Sequence, residues 1–250
     1  PETDITINVQ RRHYPRATLV AIVRNGWSRS IGTGGRDRRN AHFAQGIALG
    51  ALVQGITVEN RAYAGGWFDW LGPFSLLTGI ALVIGYALLG ATWLVLKTEG
   101  EVREQGRRFA RTTGMATIVL IGVVSLATPF LQPAYLDRWF SWPTLAFSII
   151  VPLMVLVCAF MLFRGLARGA DAQPFVASLG FFVLCYAGIG ISFYPYIVPP
   201  SLTISDAAAP DSSLSFLLVG AIVLIPMILA YTAYAYWVFR GKVDPHAGFH

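Results

Sequence analysis

Long apolar runs that contain no ionisable residue recur along the chain, and they predict membrane-spanning helices. Five of these runs extend over roughly 18 or more residues, enough to cross about 30 Å of hydrocarbon. They cover residues 71–96, 114–131, 144–163, 174–198 and 214–239. A sixth, shorter run at 42–58 contains Gln45 and Gln54, and we interpret it as a crossing helix with at least one side against protein. The predicted fold is therefore all-α, a polytopic transmembrane bundle of about six helices.

The composition agrees with a membrane protein. The 250 residues are 55% hydrophobic and 13% charged, whereas a soluble domain carries about 25% charged residues. The formal net charge is +6, but the basic residues gather between apolar runs and near the N-terminus rather than along one helical face. This distribution is typical of membrane topology, and we expect no nucleic-acid partner.

Basic residues occupy alternate connections between the apolar runs. The richer connections hold five in 97–113, then Arg164 and Arg168, then Arg240 and Lys242. The connections between these hold Arg61 in 58–70, Arg138 in 132–143 and none in 199–213. Because connections rich in Lys and Arg stay on the cytoplasmic side, the pattern places the C-terminus and the Arg-rich stretch before residue 41 in the cytoplasm.

The first forty residues differ from the rest of the chain. The stretch "RRHYPRATLVAIVRNGWSRSIGTGGRDRRN" (11–40) is rich in arginine and has no apolar run long enough to cross. We expect residues 1–40 to be a non-spanning segment that is disordered, loosely bound to a lipid surface, or foreign to the fold. The predicted domains are then this segment, a transmembrane domain at 41–243 and a cytoplasmic tail at 244–250.

The apolar runs hold little catalytic chemistry. The five long ones lack Asp, Glu, Lys, Arg and His, which argues against charge-coupled transport or proton pumping by these residues. His42 is the sole histidine near a run, and as a haem or metal ligand it would need a second ligand. Cys158 and Cys185 lie within apolar runs and are interpreted as small core side chains. We therefore predict no catalytic residue and no metal site in this chain.

Hydroxyl groups supply most of the polarity inside the runs, and interhelical hydrogen bonding is their usual role. Tyr231 and Tyr234 lie three residues apart, on one helical face. An alternative role for this pair is contact with a quinone or a lipid headgroup.

Small residues spaced four apart mark the run "GYALLGATWLVLKTEG" (85–100) and the residues just before it. Ala81 with Gly85, and Ala87 with Ala91, form two such pairs. Small residues at this spacing let helices approach closely, so these four are the predicted helix-packing residues, against a neighbour in this chain or in another. We interpret the charged residues 97–113 that follow as a solvated cytoplasmic connection or a docking surface for a partner.

Two long blocks resemble subunit II of the cytochrome bd-type quinol oxidases, especially the cyanide-insensitive branch. They are "QGITVENRAYAGGWFDWLGPFSLLTGIALVIGYALLGATWLVLKTEGEV" (54–102) and "YPYIVPPSLTISDAAAPDSSLSFLLVGAIVLIPMILAYTAYAYWVFRGKV" (194–243). With the spans between them, the resemblance covers roughly residues 41–243.

The resemblance implies a two-subunit respiratory enzyme of the bacterial inner membrane that oxidises quinol and reduces dioxygen to water. In that family subunit I holds haem b, haem d and the quinol-oxidation loop. Subunit II packs beside subunit I, stabilises it and contributes to proton access. The chain would then be a non-haem subunit that is not catalytic alone, with subunit I, membrane lipid and quinol as partners of the complex.

The chain also departs from the family pattern. Family members begin with about three further membrane helices that carry a GFDLG-like turn and a W-x-G-N-like motif, and neither occurs here. We therefore expect a truncated or fragmentary sequence, and no proton-pathway role is carried onto its residues. A small polytopic transporter or scaffold is the alternative of a different class.

Overall fold

The computed structural model describes residues 34–59, 62–142, 144–238 and 241. Within these ranges the chain forms helices and two short antiparallel strand pairs. The helices are α1 (Gly34–Gln54), α2 (Pro73–Lys97), α3 (Gly100–Leu131), the short α4 (Pro133–Phe140), α5 (Thr144–Arg168), α6 (Ala172–Phe193), the short α7 (Ile204–Ala207) and α8 (Asp211–Val238). The strand pairs are β1 (Val58–Glu59) with β2 (Ala62–Tyr63), and β3 (Tyr196–Val198) with β4 (Leu202–Thr203).

The all-α polytopic fold is confirmed. Among the described residues five helices, α2, α3, α5, α6 and α8, are long and apolar enough to cross a membrane, and each contains most or all of one predicted long run. The sixth predicted run lies largely in α1, which is not among these five helices. Its N-terminal turns carry Arg36, Asp37, Arg38 and Arg39, and the helix ends at Gln54, before the predicted end at Val58.

Local sequence explains where the long helices begin and end. Pro73 occupies the first turn of α2, where its missing amide hydrogen costs nothing. At the end of α5, Gly169 adopts a φ of +78° and the Ala170 amide donates to the Gly165 carbonyl oxygen at 3.0 Å. This is a glycine-terminated helix end that satisfies a free carbonyl. Helix α6 ends at Phe193, so Pro195 lies outside it rather than within the span as predicted.

The interpretation of residues 97–113 as a solvated connection is wrong. Only Thr98 and Glu99 join α2 to α3, and the charged residues from Gly100 onward form the N-terminal turns of α3. The physical reason is periodicity. Gly106, Ala110 and Thr113 are buried on one face at steps of four and three residues, which is the pattern of an amphipathic helix packed on a neighbour.

Two apolar clusters form the core. The larger one joins α2, α3, α5 and α6 through Leu88, Ala91, Ala110, Val155, Leu162, Leu166, Ala177 and Phe181. The smaller one contains Val53, Phe74 and Tyr135. Helix α8 contributes no buried residue among those described.

The chain divides into compact units after His42, close to the predicted boundary between 40 and 41. Helix α1 begins at Gly34, so the last seven residues of the predicted non-spanning segment are helical. The rest of that segment and the predicted tail at 244–250 lie outside the described residues.

Candidate helix-packing site

The closest backbone approach in the site joins α1 to α2. A Cβ atom built on Gly46 would lie 2.6 Å from the Cα of Gly79, and one built on Gly50 would lie 2.6 Å from the Cα of Ser75. Distances this short leave no space for any side chain at Gly46 or Gly50. Glycine therefore sets the separation of the two helices, as small residues do where membrane helices touch.

Hydroxyl and amide groups line the same seam. The Thr78 hydroxyl lies 2.8 Å from the carbonyl oxygens of both Gly46 and Ser75. The Ser75 hydroxyl, which is fully buried, donates to Oε1 of Gln54 at 2.6 Å. Because hydrocarbon offers polar groups no partner, these bonds both satisfy the buried groups and fix the register of α1 on α2.

The C-terminal end of α1 is held by the segment that follows α3. The Gln132 amide donates to the Gln54 carbonyl oxygen at 2.7 Å, and the Tyr135 hydroxyl donates to the Val53 carbonyl oxygen at 2.8 Å. Burial raises the pKa of Tyr135 to about 12, although the positive charge of Arg138 partly opposes the rise. Tyr135 therefore stays protonated and remains a donor to a carbonyl that α1 itself leaves unbonded.

A second seam joins α2 to α3. A Cβ atom on Gly106 would lie 3.4 Å from both the Ala91 carbonyl oxygen and Cγ2 of Val95. One on Gly114 would lie 2.9 Å from Cδ2 of Leu162 on α5. Small residues on α3 thus allow two neighbouring helices to approach it.

A third seam joins α2 to α6. The hydroxyl oxygens of Thr92 and Ser178 lie 2.8 Å apart, and both residues are fully buried. About two turns before Thr92 on α2, a Cβ atom on Gly85 would lie 3.3 Å from Cζ of Phe182 on α6. Helix α2 therefore contacts α1, α3 and α6, and it is the central element of the described bundle.

The four predicted packing residues divide into two groups. Gly85 and Ala91 are buried, and their close neighbours belong to this chain. Ala81 and Ala87 are half-buried. The prediction that the four residues pack closely against a neighbour, in this chain or in another, stays a prediction.

The predicted packing residues do not include the glycines at the closest helix contact, that of α1 with α2. Gly46 and Gly50 form the four-residue step "GIALG" in the shorter apolar run, and Gly79 lies opposite Gly46. This spacing is visible in the sequence, but the interpretation of the run was based on Gln45 and Gln54. The partner of each glycine depends on the fold and has no signal in the sequence.

The other candidate residues do not come together. Tyr231 and Tyr234 are exposed on α8, and Cys158 and Cys185 form no disulfide. Within the described ranges no group of three or more His, Cys, Asp or Glu side chains is placed to hold a metal ion. The predicted absence of a catalytic or metal site is left as a prediction.

Among the described residues, five helices that are long and apolar enough to cross a membrane, with glycine and hydroxyl groups at several helix contacts, define a polytopic helical membrane protein. Sequence comparison gives the family. The profile of the cytochrome bd terminal oxidase subunit II family matches residues 20–239, and the chain belongs to this family. The match begins at residue 20, inside the segment 1–40 for which a foreign origin was one of the expectations.

Individual relatives agree with the family. Subunit 2 of the cytochrome bd-I ubiquinol oxidase of Escherichia coli K12 is 26% identical, over 79% of this chain and 61% of its own length. Subunit 2 of the cytochrome bd ubiquinol oxidase of Bacillus subtilis is 23% identical, over 81% and 60%. The chain thus spans about three fifths of the length of these relatives.

A solved structure shares the fold. The bd oxidase from Geobacillus thermodenitrificans superposes with a TM-score of 0.58 at 18% sequence identity, and the match covers 90% of this chain and 72% of that one. The similarity supports the helical arrangement described here.

Proposed function

We propose that this chain is the non-haem membrane subunit of a cytochrome bd-type quinol oxidase, which oxidises quinol and reduces dioxygen to water in an aerobic respiratory chain. The observation that carries the proposal is the family match over residues 20–239. Two relatives are named as subunits of ubiquinol oxidases, which supports quinol as the substrate of the whole enzyme. Catalysis then belongs to the assembled complex rather than to this chain alone. Nothing in the comparisons favours the transporter or scaffold alternative.

The chain's proposed role is to pack against the haem-bearing subunit I and stabilise it. Apolar surface is available for this contact, because only 6% of the spanning stretch of α5 and none of that of α8 is buried among the described residues. On α2, Gly85 and Ala91 are buried against other residues of this chain. Ala81 and Ala87, which are half-buried, are the predicted positions for contact with subunit I.

The described residues do not fit a haem site. Haem iron takes axial histidine, cysteine, methionine or tyrosine ligands from a surrounding pocket. His42 is the sole histidine in the described ranges, Met115, Met154 and Met227 are exposed, and Met161 packs against the larger apolar cluster. We therefore derive no step through a haem in this chain, and the proposal places haem b and haem d in subunit I.

A quinone or lipid against Tyr231 and Tyr234 also belongs to the proposal. Both rings are exposed on α8, at 73% and 62%, and they lie three positions apart along the helix. A flat ring or a headgroup can contact both side chains at once. Their tyrosine hydroxyls can donate a hydrogen bond to a quinone carbonyl oxygen.

The proposed location is the bacterial inner membrane with the C-terminus in the cytoplasm. The structure brings the ends of α2 and α8 together, since Nζ of Lys97 donates to the Gly241 carbonyl oxygen at 3.3 Å. The four arginines in the N-terminal turns of α3 follow Lys97 within the next 14 residues. Because this end carries the basic residues, the positive-inside rule favours the cytoplasmic side for it.

Co-purification with the neighbouring subunit tests the function. A tagged chain extracted in detergent is expected to bring with it haem b and haem d absorbance and quinol-dependent oxygen uptake. An extract that lacks both while the chain itself is folded would contradict the oxidase assignment.

Substitutions on α2 test the packing role. Ala81→Leu and Ala87→Leu are expected to reduce the amount of assembled complex without changing turnover per haem, because a larger side chain obstructs close packing. Gly90→Leu separates contacts within the chain from contact with another subunit, since a Cβ at Gly90 meets nothing of this chain within 4 Å and the substitution should leave the fold of the chain intact. Normal assembly of both alanine variants would remove the packing role from these positions.

A further inference from the structure

Arginine side chains from α3 surround the turn that ends α5. Nη2 of Arg103 donates to the Gly169 carbonyl oxygen at 2.7 Å and forms an ion pair with Asp171. Nη2 of Arg111 lies 3.4 Å from the Leu166 carbonyl oxygen. Two guanidinium groups therefore bind the C-terminal end of α5, where cations are favoured by the free carbonyls.

Arg107 lies between these two arginines in the sequence and contacts the same turn. A Cβ atom on Gly169 would lie 3.1 Å from Nη2 of Arg107, so the guanidinium lies directly against the glycine. The Nε atoms of Arg107 and Arg103 are buried and have no hydrogen-bond partner among the described residues. A buried donor without an acceptor is costly. The Arg107 side chain as a whole is half-buried, so an anion at its accessible part would offset some of that cost through charge.

The local charge is strongly positive. The turn is lined by Arg103, Arg107 and Arg111, whereas Asp171 is the one carboxylate that forms an ion pair with them among the described residues. Arg168 adds a further positive charge in the last turn of α5. An anion is therefore the expected ligand at this turn.

The depth of the turn identifies the kind of anion. The apolar part of α3 starts at Gly114, so Arg111 and Arg107 lie about 5 and 10 Å beyond it along the helix axis. The polar headgroup layer of a bilayer is about 5 to 8 Å thick on each side. The backbone of Arg111 thus lies within this layer and that of Arg107 about 2 Å beyond it, a gap that the length of an arginine side chain can span. Phospholipid phosphates in the layer match a guanidinium fork in geometry and charge.

We propose that Arg107, with Arg111 beside it, binds the phosphate of an anionic phospholipid against the Gly169 turn. The phosphate oxygens accept hydrogen bonds from Arg107 and balance the charge that Asp171 leaves uncompensated. The lipid then joins α3 to the end of α5 at the membrane surface. This proposal does not depend on the oxidase assignment.

Lipid addition to the delipidated protein tests the proposal. The full chain, with any subunit that co-purifies, is titrated in detergent with dioleoylphosphatidylglycerol or dioleoylphosphatidylcholine while the melting temperature is followed. Phosphatidylglycerol is expected to raise the melting temperature more than phosphatidylcholine does. Arg107→Gln is expected to weaken the phosphatidylglycerol effect about fivefold in apparent affinity.

Arg108→Gln is the matched control. Arg108 is the next residue on the same helix, its side chain is 79% exposed, and it pairs with Glu104. The control is expected to keep the wild-type response, although it loses the same charge. Equal weakening by both variants would overturn the site in favour of general surface attraction.

Two further measurements keep the test decisive. Equal stabilisation by the two lipids in the wild-type protein would overturn the proposal, and this comparison holds even if Arg107→Gln fails to fold. Equal stabilisation by inorganic phosphate at the same concentration would overturn a lipid as the occupant. Arg107→Lys, which keeps the charge but loses the planar fork, is expected to keep part of the phosphatidylglycerol preference.

Discussion

Helices α2 and α8 are both long and apolar enough to cross a membrane, yet they are packed very differently. A third of the spanning stretch of α2 is buried, whereas none of that of α8 is buried among the described residues. Residues of α2, including glycine and hydroxyl groups, contact α1, α3 and α6. On α8, a Cβ atom at Gly220 would meet nothing within 4 Å.

The comparison shows that apolar composition places a helix in the membrane but does not choose its neighbours. Lipid tails are as apolar as leucine, so helices in a bilayer gain little from burying apolar surface against one another. Close backbone approach and interhelical hydrogen bonds supply the attraction instead. Helix α8 touches α2 near their C-terminal ends, where the rings of Trp93 and Tyr236 meet at 6.0 Å.

The largest expected difference between the two regions comes from adding one methyl group. Gly46→Ala should destabilise the fold by about 1 to 3 kcal/mol, because the new Cβ collides with backbone atoms of α2. Gly220→Ala should be neutral or stabilising by up to about 1 kcal/mol, since alanine favours helix and the space is open. Unfolding in mixed micelles measures both. Equal effects would contradict the contrast between the regions.

Alkaline pH should separate a buried tyrosine from an exposed one. The pKa of Tyr135 is raised from 10.0 to about 12 in the fold, so its neutral form is favoured there. Its contribution to stability is complete below pH 10 and is lost as the pH rises through 12, a change of about 3 kcal/mol. Tyr135→Phe should flatten the stability curve between pH 10 and 12.

Tyr231→Phe on α8 is the control for this pH dependence. Tyr231→Phe also removes one tyrosine hydroxyl, but from α8, which has no buried residue among those described. A Tyr135→Phe curve that is as steep as the Tyr231→Phe curve would show that Tyr135 does not cause the loss.

The smallest expected effect concerns one buried hydroxyl pair. Thr92→Val should cost about 0.6 to 2 kcal/mol, because it leaves the Ser178 hydroxyl without its partner across the helices. The same substitution at the exposed Thr232 on α8 should cost nothing measurable. A double-mutant cycle with Ser178→Ala isolates the pair. A coupling energy of zero would show that the bond does not stabilise the contact of α2 with α6.

Much of the secondary structure could be predicted from the sequence, because each spanning helix is a long uncharged run. The N-terminal turns of α3 are an exception. Their charged residues suggest a solvated connection, whereas the spacing of Gly106, Ala110 and Thr113 is that of a helix. The sixth run was predicted as crossing, but α1 is not among the helices that are long and apolar enough.

The candidate site was only partly accessible to sequence reasoning. Spacing predicted α2 as a closely packed helix, and two of its four predicted residues, Gly85 and Ala91, are buried. Their packing role stays a prediction. The spacing of Gly46 and Gly50 carried the same signal in a shorter run. What lies opposite each small residue is not encoded locally, since a one-dimensional pattern gives a helix face but not its neighbour.

By itself the sequence predicted each of the five described helices that are long and apolar enough to cross a membrane, the alternation of basic residues between connections, and the family that the chain resembles. Only the tertiary structure decided that α2 lies among α1, α3 and α6, that Thr92 meets Ser178, and that arginines of α3 bind the end of α5. The physical reason is that hydrophobicity acts on each helix separately in a bilayer. Packing and hydrogen bonding depend on pairs of residues far apart in the chain.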